Sequence, residues 1–169
     1  MNYHDITTDD MLNGDGLRVV LWVSGCTVRC KNCQNPQTWD FNSGIPFTEE
    51  SMDEIIDNLN KSYITGLTLT GGHPLESANL STIKTIVKTV KSRFPNKTIW
   101  LYTGFTWEEI KESYIFFWDT LSNVDVLVDG RYVDELRDIT LPFRGSSNQR
   151  IIDVQQSLKA DNIVLWQPK

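Results

Sequence analysis

Cys26, Cys30 and Cys33 are the only cysteines of the chain and fall within eight residues, in Gly25-Cys-Thr-Val-Arg-Cys-Lys-Asn-Cys33. A cubic iron–sulfur cluster has four irons and is usually held by four thiolates. A chain that offers three leaves one iron open, and an open iron can bind a small molecule. Other chemistries use these residues less completely. A disulfide would pair two thiols and leave the third over, in a chain whose start has no secretory signal. A structural zinc site needs a fourth ligand, usually from a second closely spaced pair, and only His4 and His73 are available. A redox Cys-x-x-Cys site would use Cys30 and Cys33 and leave Cys26 idle. The C-x3-C-x2-C spacing points first to a cluster, with a zinc-binding module as the alternative.

The 169 residues, 40% of them hydrophobic, suit one globular domain over residues 1–169. Sixteen basic against 22 acidic residues give a formal charge of −6, which argues against nucleic-acid binding through phosphate neutralisation. No apolar run approaches the length of a membrane span. The N-terminus is polar and acidic rather than a signal peptide, so a cytoplasmic protein with no membrane or nucleic-acid partner is expected.

The elements that must position the cysteines are legible from periodicity. Residues 18–24 are a β-branched apolar run and read as a buried strand that leads straight into the cysteine loop. Pro36, Asn42, Ser43, Gly44 and Pro46 keep the next stretch irregular. Thr48 opens a helix with Met52, Ile55, Ile56 and Leu59 on its buried stripe, and Phe47 and Met52 are spaced for a hydrophobic staple. The pattern then recurs, with a strand at 65–70 and a helix face through Leu80, Ile83, Ile86, Val87 and Val90 that Pro95 stops. A strand follows at 98–102. Thr106 with Glu109 forms a capping box for a third helix, which Phe105 and Ile110 staple. A fourth strand is read at 124–128. Residues 129–149 read as mostly irregular, before a short helix at 154–159 and a strand at 162–166. Strands alternating with helices imply a parallel sheet, whose ligands gather at the carboxyl ends of the strands. Cys26, Gly71 and Gly72, Thr103 and Gly104, and residues 129–131 follow successive strands. Four loops should therefore share one rim.

Thr70-Gly-Gly-His-Pro-Leu75 offers exposed backbone at that rim, where glycines let a ligand approach closely. Together with the cysteine loop it resembles the radical S-adenosylmethionine (SAM) superfamily. There the open iron chelates the amino and carboxylate groups of SAM, and a Gly-Gly-Glu/Asp-Pro turn hydrogen-bonds the amino group. Asn13-Gly-Asp-Gly-Leu-Arg18, Cys33-Gln-Asn-Pro-Gln-Thr-Trp39, Ile99-Trp-Leu-Tyr-Thr-Gly104 and Phe143-Arg-Gly-Ser-Ser-Asn-Gln-Arg150 narrow the resemblance. They are similar to the activating proteins of anaerobic ribonucleoside-triphosphate reductases.

That resemblance implies an α/β fold, a partial (β/α) barrel of radical SAM type with a mostly parallel sheet and the cluster loop after the first strand. It implies a [4Fe-4S] cluster on Cys26, Cys30 and Cys33, with SAM bound beside it. Asn32, Cys33 and Gln34 would lie by the adenine, and Gly71 and Gly72 would hold the methionine amino group. Arg131 stands where relatives place a basic residue near the carboxylate, although a solvated surface arginine reads equally well. Tyr102 reads as a core aromatic or a neighbour of the cofactor. The implied reaction takes one electron from a flavodoxin-like donor, cleaves SAM reductively to a 5′-deoxyadenosyl radical, and removes hydrogen from a glycine α-carbon in the reductase large subunit. Three positions depart from the family pattern: Asn32 replaces an aromatic residue, His73 the acid of the glycine motif, and Asp15 a proline. His73 is expected not to be a metal ligand. The competing enzyme reading is a radical SAM protein acting on a small molecule. A short chain with an open rim suits a protein loop better.

Overall fold

The structure, a computed structural model, describes residues 1–168. Its strands are β1 (Asn2–Asp10), β2 (Leu17–Val23), β3 (Ile45–Pro46), β4 (Ile64–Gly71), β5 (Thr98–Tyr102), β6 (Val126–Asp129) and β7 (Arg150–Asp153). Its helices are α1 (Glu49–Leu59), α2 (Ser77–Arg93), α3 (Trp107–Glu112), α4 (Tyr114–Leu121) and α5 (Val154–Ala160). One sheet contains all seven strands in the order β3-β1-β2-β4-β5-β6-β7. The four central strands β2, β4, β5 and β6 pair in parallel. Antiparallel strands extend both sides, β1 and β3 beyond β2, and β7 beyond β6.

The helices cover one face. Val19, Leu21, Val23, Leu67, Leu69, Ile99, Leu101 and Leu127 of the parallel strands pack there against Ile55, Ile56 and Leu59 of α1 and Ile83, Ile86, Val87 and Val90 of α2. Trp107 and Ile110 of α3, Leu121 of α4 and Val154 of α5 complete this core. Each fully buried aliphatic side chain contributes on the order of 1.5–3 kcal/mol, so this face carries most of the stability. Both expected helix starts are built as local chemistry dictates. The Thr48 amide donates to the Ser51 hydroxyl at 3.1 Å. The Thr106 amide donates to Glu109 Oε2 at 2.7 Å, and the Glu109 amide returns to Thr106 Oγ1 at 3.2 Å.

Loops cover the other face. Arg18 is fully buried there and reaches Thr68 Oγ1 at 2.7 Å, the Leu67 carbonyl at 2.8 Å and the Thr98 carbonyl at 2.9 Å. It also donates to the Asp15 carbonyl at 3.0 Å, and Thr68 Oγ1 donates to the Asn13 carbonyl at 2.7 Å. Residues 13–15 are thereby pinned onto the sheet and become a floor. Burial pushes the Arg18 guanidinium down to about 10, so it stays charged at neutral pH. Trp100 is packed edge-on by Phe143 and Trp166, with ring centroids 5.3 and 5.0 Å away.

Two expectations need correction. The cysteine loop follows the second strand, because β1 precedes it. β1 escapes periodicity since only Tyr3 and Ile6 are buried in it, and register shifts between Tyr3 and Asp5 and between Thr7 and Asp10 break its period of two. The strand expected at 162–166 is a single bridge, Leu165 to Ile152. The edge position belongs instead to β7, which pairs with β6 over four residues. Trp166 is held edge-on against Trp100 and by its amide, which donates to the Ile151 carbonyl at 2.9 Å.

Candidate functional site

The carboxyl ends of the four parallel strands open into one cleft of about 230 Å³. Cys26, Cys30 and Cys33 line it, with Gly71 and Gly72 after β4, Thr103 and Gly104 after β5, and Gly130 after β6. The four-loop rim expected from the strand order is present. Gln34 and Tyr102 also line it, and Asn13 and Trp22 close the floor. Asn32 and Arg131 stand outside. Asn32 is exposed and donates to Asp134 Oδ2 at 2.7 Å, whereas Arg131 is exposed and lines a neighbouring groove with Glu108 and Arg150.

Local backbone sets the thiols. Arg29 (φ 47°) and Asn32 (φ 54°) take the left-handed conformation, each immediately before a cysteine. Asparagine tolerates that region and arginine seldom enters it, which marks the loop as strained for a purpose. The Cys33 amide donates to the Cys30 carbonyl at 3.2 Å and closes the turn between them. All three thiols are free and half-buried. The Asn35 amide donates to Cys33 Sγ at 3.3 Å, and the backbone of Val28 and Arg29 lies near the Cys26 thiol and that of Tyr132 near Cys30. Burial pushes the Cys26 and Cys30 thiols up, and the nearby backbone pulls the other way. Among the described residues, no three His, Cys, Asp or Glu side chains converge tightly enough to hold a single ion. Three separate sulfurs on one cleft, one of them accepting a backbone N–H, suit the corners of a cluster, whose potential such hydrogen bonds tune.

The glycine turn is bolted to the base of the cysteine loop. The Gly72 amide donates to the Val23 carbonyl at 2.7 Å and the His73 amide to the Gly25 carbonyl at 2.8 Å. Gly71 has φ +98°, a region that only glycine enters freely. A Cβ on Gly72 would lie 2.7 Å from the Gly25 carbonyl oxygen and 2.9 Å from that of Val23. Both glycines are thus required for contact between the two loops. With the turn's amides spent, the Gly72 carbonyl has no partner among the described residues and remains an acceptor for an ammonium group.

His73 is 1% exposed, and both ring nitrogens are taken, Nδ1 by Glu76 Oε1 at 3.1 Å and Nε2 by Thr103 Oγ1 at 2.8 Å. Burial holds the imidazole below its ordinary pKa. Glu76 and Asn79 were not singled out from sequence. Asn79 is buried and donates to the Ser24 carbonyl at 2.8 Å and the His73 carbonyl at 3.1 Å. The i, i+3 spacing of His73 and Glu76 was the available signal, but it falls on a turn entering α2, where helical spacing alone fixes no contact.

A second groove, of about 480 Å³, continues from the cleft and shares Asn13, Trp22, Gln34, Tyr102 and Gly145 with it. Its outer walls are Met11 and Leu12 on one side and Leu141, Pro142 and Phe143 on the other. Met11 is 68% and Leu12 80% exposed.

Residues 12–152 match the model of the 4Fe-4S single cluster domain family. The chain is 46% identical over 151 residues to the anaerobic ribonucleoside-triphosphate reductase-activating protein of Enterobacteria phage T4, covering 89% of this chain and 93% of that protein. The protein of the same name from Vibrio cholerae is 44% identical over 153 residues, covering 89% and 97%. That from Escherichia coli K12 is 42% identical over 151 residues, covering 88% and 96%. No solved structure matches the chain. At these identities and over nearly the whole of each protein, the chain belongs to the 4Fe-4S single cluster domain family, among the anaerobic ribonucleoside-triphosphate reductase-activating proteins.

Proposed function

We propose that this chain activates an anaerobic ribonucleoside-triphosphate reductase as a radical SAM enzyme, its one-faced sheet serving as a partial barrel. One observation carries the reading: the three thiols and the Gly71–Gly72 turn, from different strand ends, line the same cleft. Cys26, Cys30 and Cys33 would hold the [4Fe-4S] cluster. Their half-burial and the Asn35 N–H on Cys33 Sγ fit it. Bound together, cluster and SAM supply one-electron cleavage of the sulfonium C–S bond, which ends as hydrogen abstraction from a glycine of the partner.

The protein's own part is placement. The Gly72 carbonyl would accept from the methionine ammonium, and Gln34 and Asn35 offer polar contacts on the third-cysteine side of the cleft. Trp22, Val28, Tyr102 and Trp39 give it apolar walls that limit water. Arg131, exposed beside the cleft, would meet SAM's carboxylate only through its long side chain, and Asn32 would act through backbone. The groove between Met11–Leu12 and residues 141–143 leads from solvent to the cleft and would admit the glycine-bearing segment of the reductase large subunit. A flavodoxin-like protein would supply the electron from the exposed side of the cysteine loop. No helix among the described residues is long and apolar enough to cross a membrane, which accords with work in the cytoplasm.

Anaerobically reconstituted protein should contain four irons and four sulfides per chain. Mixed with the reductase large subunit, SAM and a one-electron reductant, it should yield the doublet electron-spin-resonance signal of a glycyl radical. Stoichiometric zinc without sulfide would refute the cluster. SAM cleavage with a small molecule modified and no protein radical would refute the activase reading.

A further inference from the structure

A buried carboxylate–imidazole pair sits behind the cleft and joins three of its four loops. Glu76 Oε1 accepts the Thr27 amide at 2.8 Å and the Thr27 hydroxyl at 2.7 Å, and faces His73 Nδ1 at 3.1 Å. Thr27 directly follows the first cysteine. His73 Nε2 meets Thr103 Oγ1 at 2.8 Å, in the loop after β5. The protons of this chain can be assigned. A carboxylate only accepts, so Nδ1 carries the imidazole proton and donates it to Glu76. Nε2 then accepts the Thr103 hydroxyl, whose oxygen in turn accepts the Phe105 amide at 3.1 Å. The Phe105 ring packs edge-on to the imidazole, with centroids 4.5 Å apart. Every link has a donor and an acceptor. Burial pulls the Glu76 carboxyl up, but the two Thr27 contacts and His73 outweigh it and leave the group below the usual carboxylate range.

We propose that Glu76 is a positioning residue for SAM: it fixes the cysteine loop against the Gly71–Gly72 turn and, through His73, both against the loop after β5. The proposal rests on the SAM reading given above. Glu76 is not in the cleft wall and touches neither reacting group, so its contacts act through Thr27 and His73, although its charge is also felt at the Cys26 thiol. It also explains how position 73 can hold a histidine. The negative charge behind the turn comes from Glu76, three residues further along, and the imidazole carries its hold across to Thr103. An acid at 73 beside Glu76 would instead set two carboxylates together in a site closed to water, where like charges oppose ionisation.

Four variants of the full chain test this after anaerobic reconstitution, read by iron and sulfide content, by thermal midpoint, and by the change that SAM causes in the spin-resonance spectrum of the reduced cluster. Glu76→Ala should keep its iron, since the cysteines are untouched, yet raise the SAM dissociation constant by roughly tenfold or more, the scale of one lost charge-assisted contact. Glu76→Gln keeps an acceptor oxygen in place and should stay within about threefold of wild type. His73→Asp should lose SAM affinity like the alanine variant, and His73→Asp combined with Glu76→Gln should regain part of it, because the amide donates to the new carboxylate while the imidazole's link to Thr103 stays lost. Unchanged SAM affinity in Glu76→Ala at full iron content would overturn the proposal. If that variant does not fold, the His73→Asp pair decides: partial recovery in the double variant supports it, and SAM affinity no better than in His73→Asp alone overturns it. A wild-type cluster that gives no spectral response to SAM would refute the SAM reading itself, a different failure.

Discussion

Gly72→Ala isolates the contact between glycine turn and cysteine loop. The added Cβ would meet three backbone carbonyl oxygens, at 2.7 Å (Gly25), 2.9 Å (Val23) and 3.0 Å (Thr38). Ordinary contact begins near 3.4 Å, so the loops must part by roughly half an ångström. None of the obstructing atoms is a side chain that could rotate away. The same separation stretches the Gly72–Val23 and His73–Gly25 hydrogen bonds, now 2.7 and 2.8 Å, to the edge of the usual range of about 2.7–3.2 Å. Overpacking of this kind costs about 1–3 kcal/mol. The stiffer unfolded chain offsets about 0.4–1 kcal/mol of it, leaving a net loss of about 1–2 kcal/mol. At about 2–4 °C per kcal/mol for a domain of this size, the midpoint of thermal unfolding should fall by about 2–8 °C. SAM affinity should fall as well, with iron content retained. Gly104→Ala is the control, because its Cβ would meet only the Val28 side chain, at 2.9 Å and beyond, and it should shift the midpoint less. An alanine at 72 with unaltered midpoint and SAM affinity would refute the reasoning, since it would mean that the two loops are not in register-locking contact.

Three further outcomes are expected. Cys30→Ala should abolish 5′-deoxyadenosine release while circular dichroism stays near wild type, because the thiol lies on the rim and the core lies on the helix-covered face; retained turnover would remove Cys30 from the site. Leu12→Glu, at an 80% exposed position on the outer groove, should weaken activation of the reductase subunit and leave SAM cleavage in its absence unchanged; equal loss of both would show that the groove is not the route of the peptide. Arg150, which donates to Glu108 at 3.0 and 2.7 Å, holds that carboxyl down at about 2. Its folded value lies below the unfolded one, so this stabilisation is present above about pH 4.5 and is lost as pH falls towards about 2. Glu108→Gln, which leaves Arg150 on the buried Asp129, should flatten the acid limb of a stability–pH curve between those values; an identical limb in both proteins would discount the pair.

The chain's local chemistry was readable in its sequence wherever the signal is local. The cysteine spacing, the capping box of Thr106 with Glu109, and the apolar stripes of α1 and α2 depend on residues within a turn or two of each other, and periodicity registers them. The convergence of four loops also followed, because parallel strands joined by helices must all end on the same side. What tertiary structure alone decided has longer reach. β1 is a strand because β2 is buried and needs a partner for its free backbone groups, not because Asn2–Asp10 alternates; its bulges hide the period. β7 displaced the expected last strand because β6 offered an open edge. Arg18 reads as a surface cation at the start of a strand, yet the loop at 13–15 folds over it and the carbonyls of Leu67 and Thr98 satisfy it. Likewise Glu76 reads as the entry to a helix. Only the packing of β4 beside β2 brings it to Thr27, 49 residues away in sequence, where burial turns an ordinary carboxylate into the fixed point of the cleft.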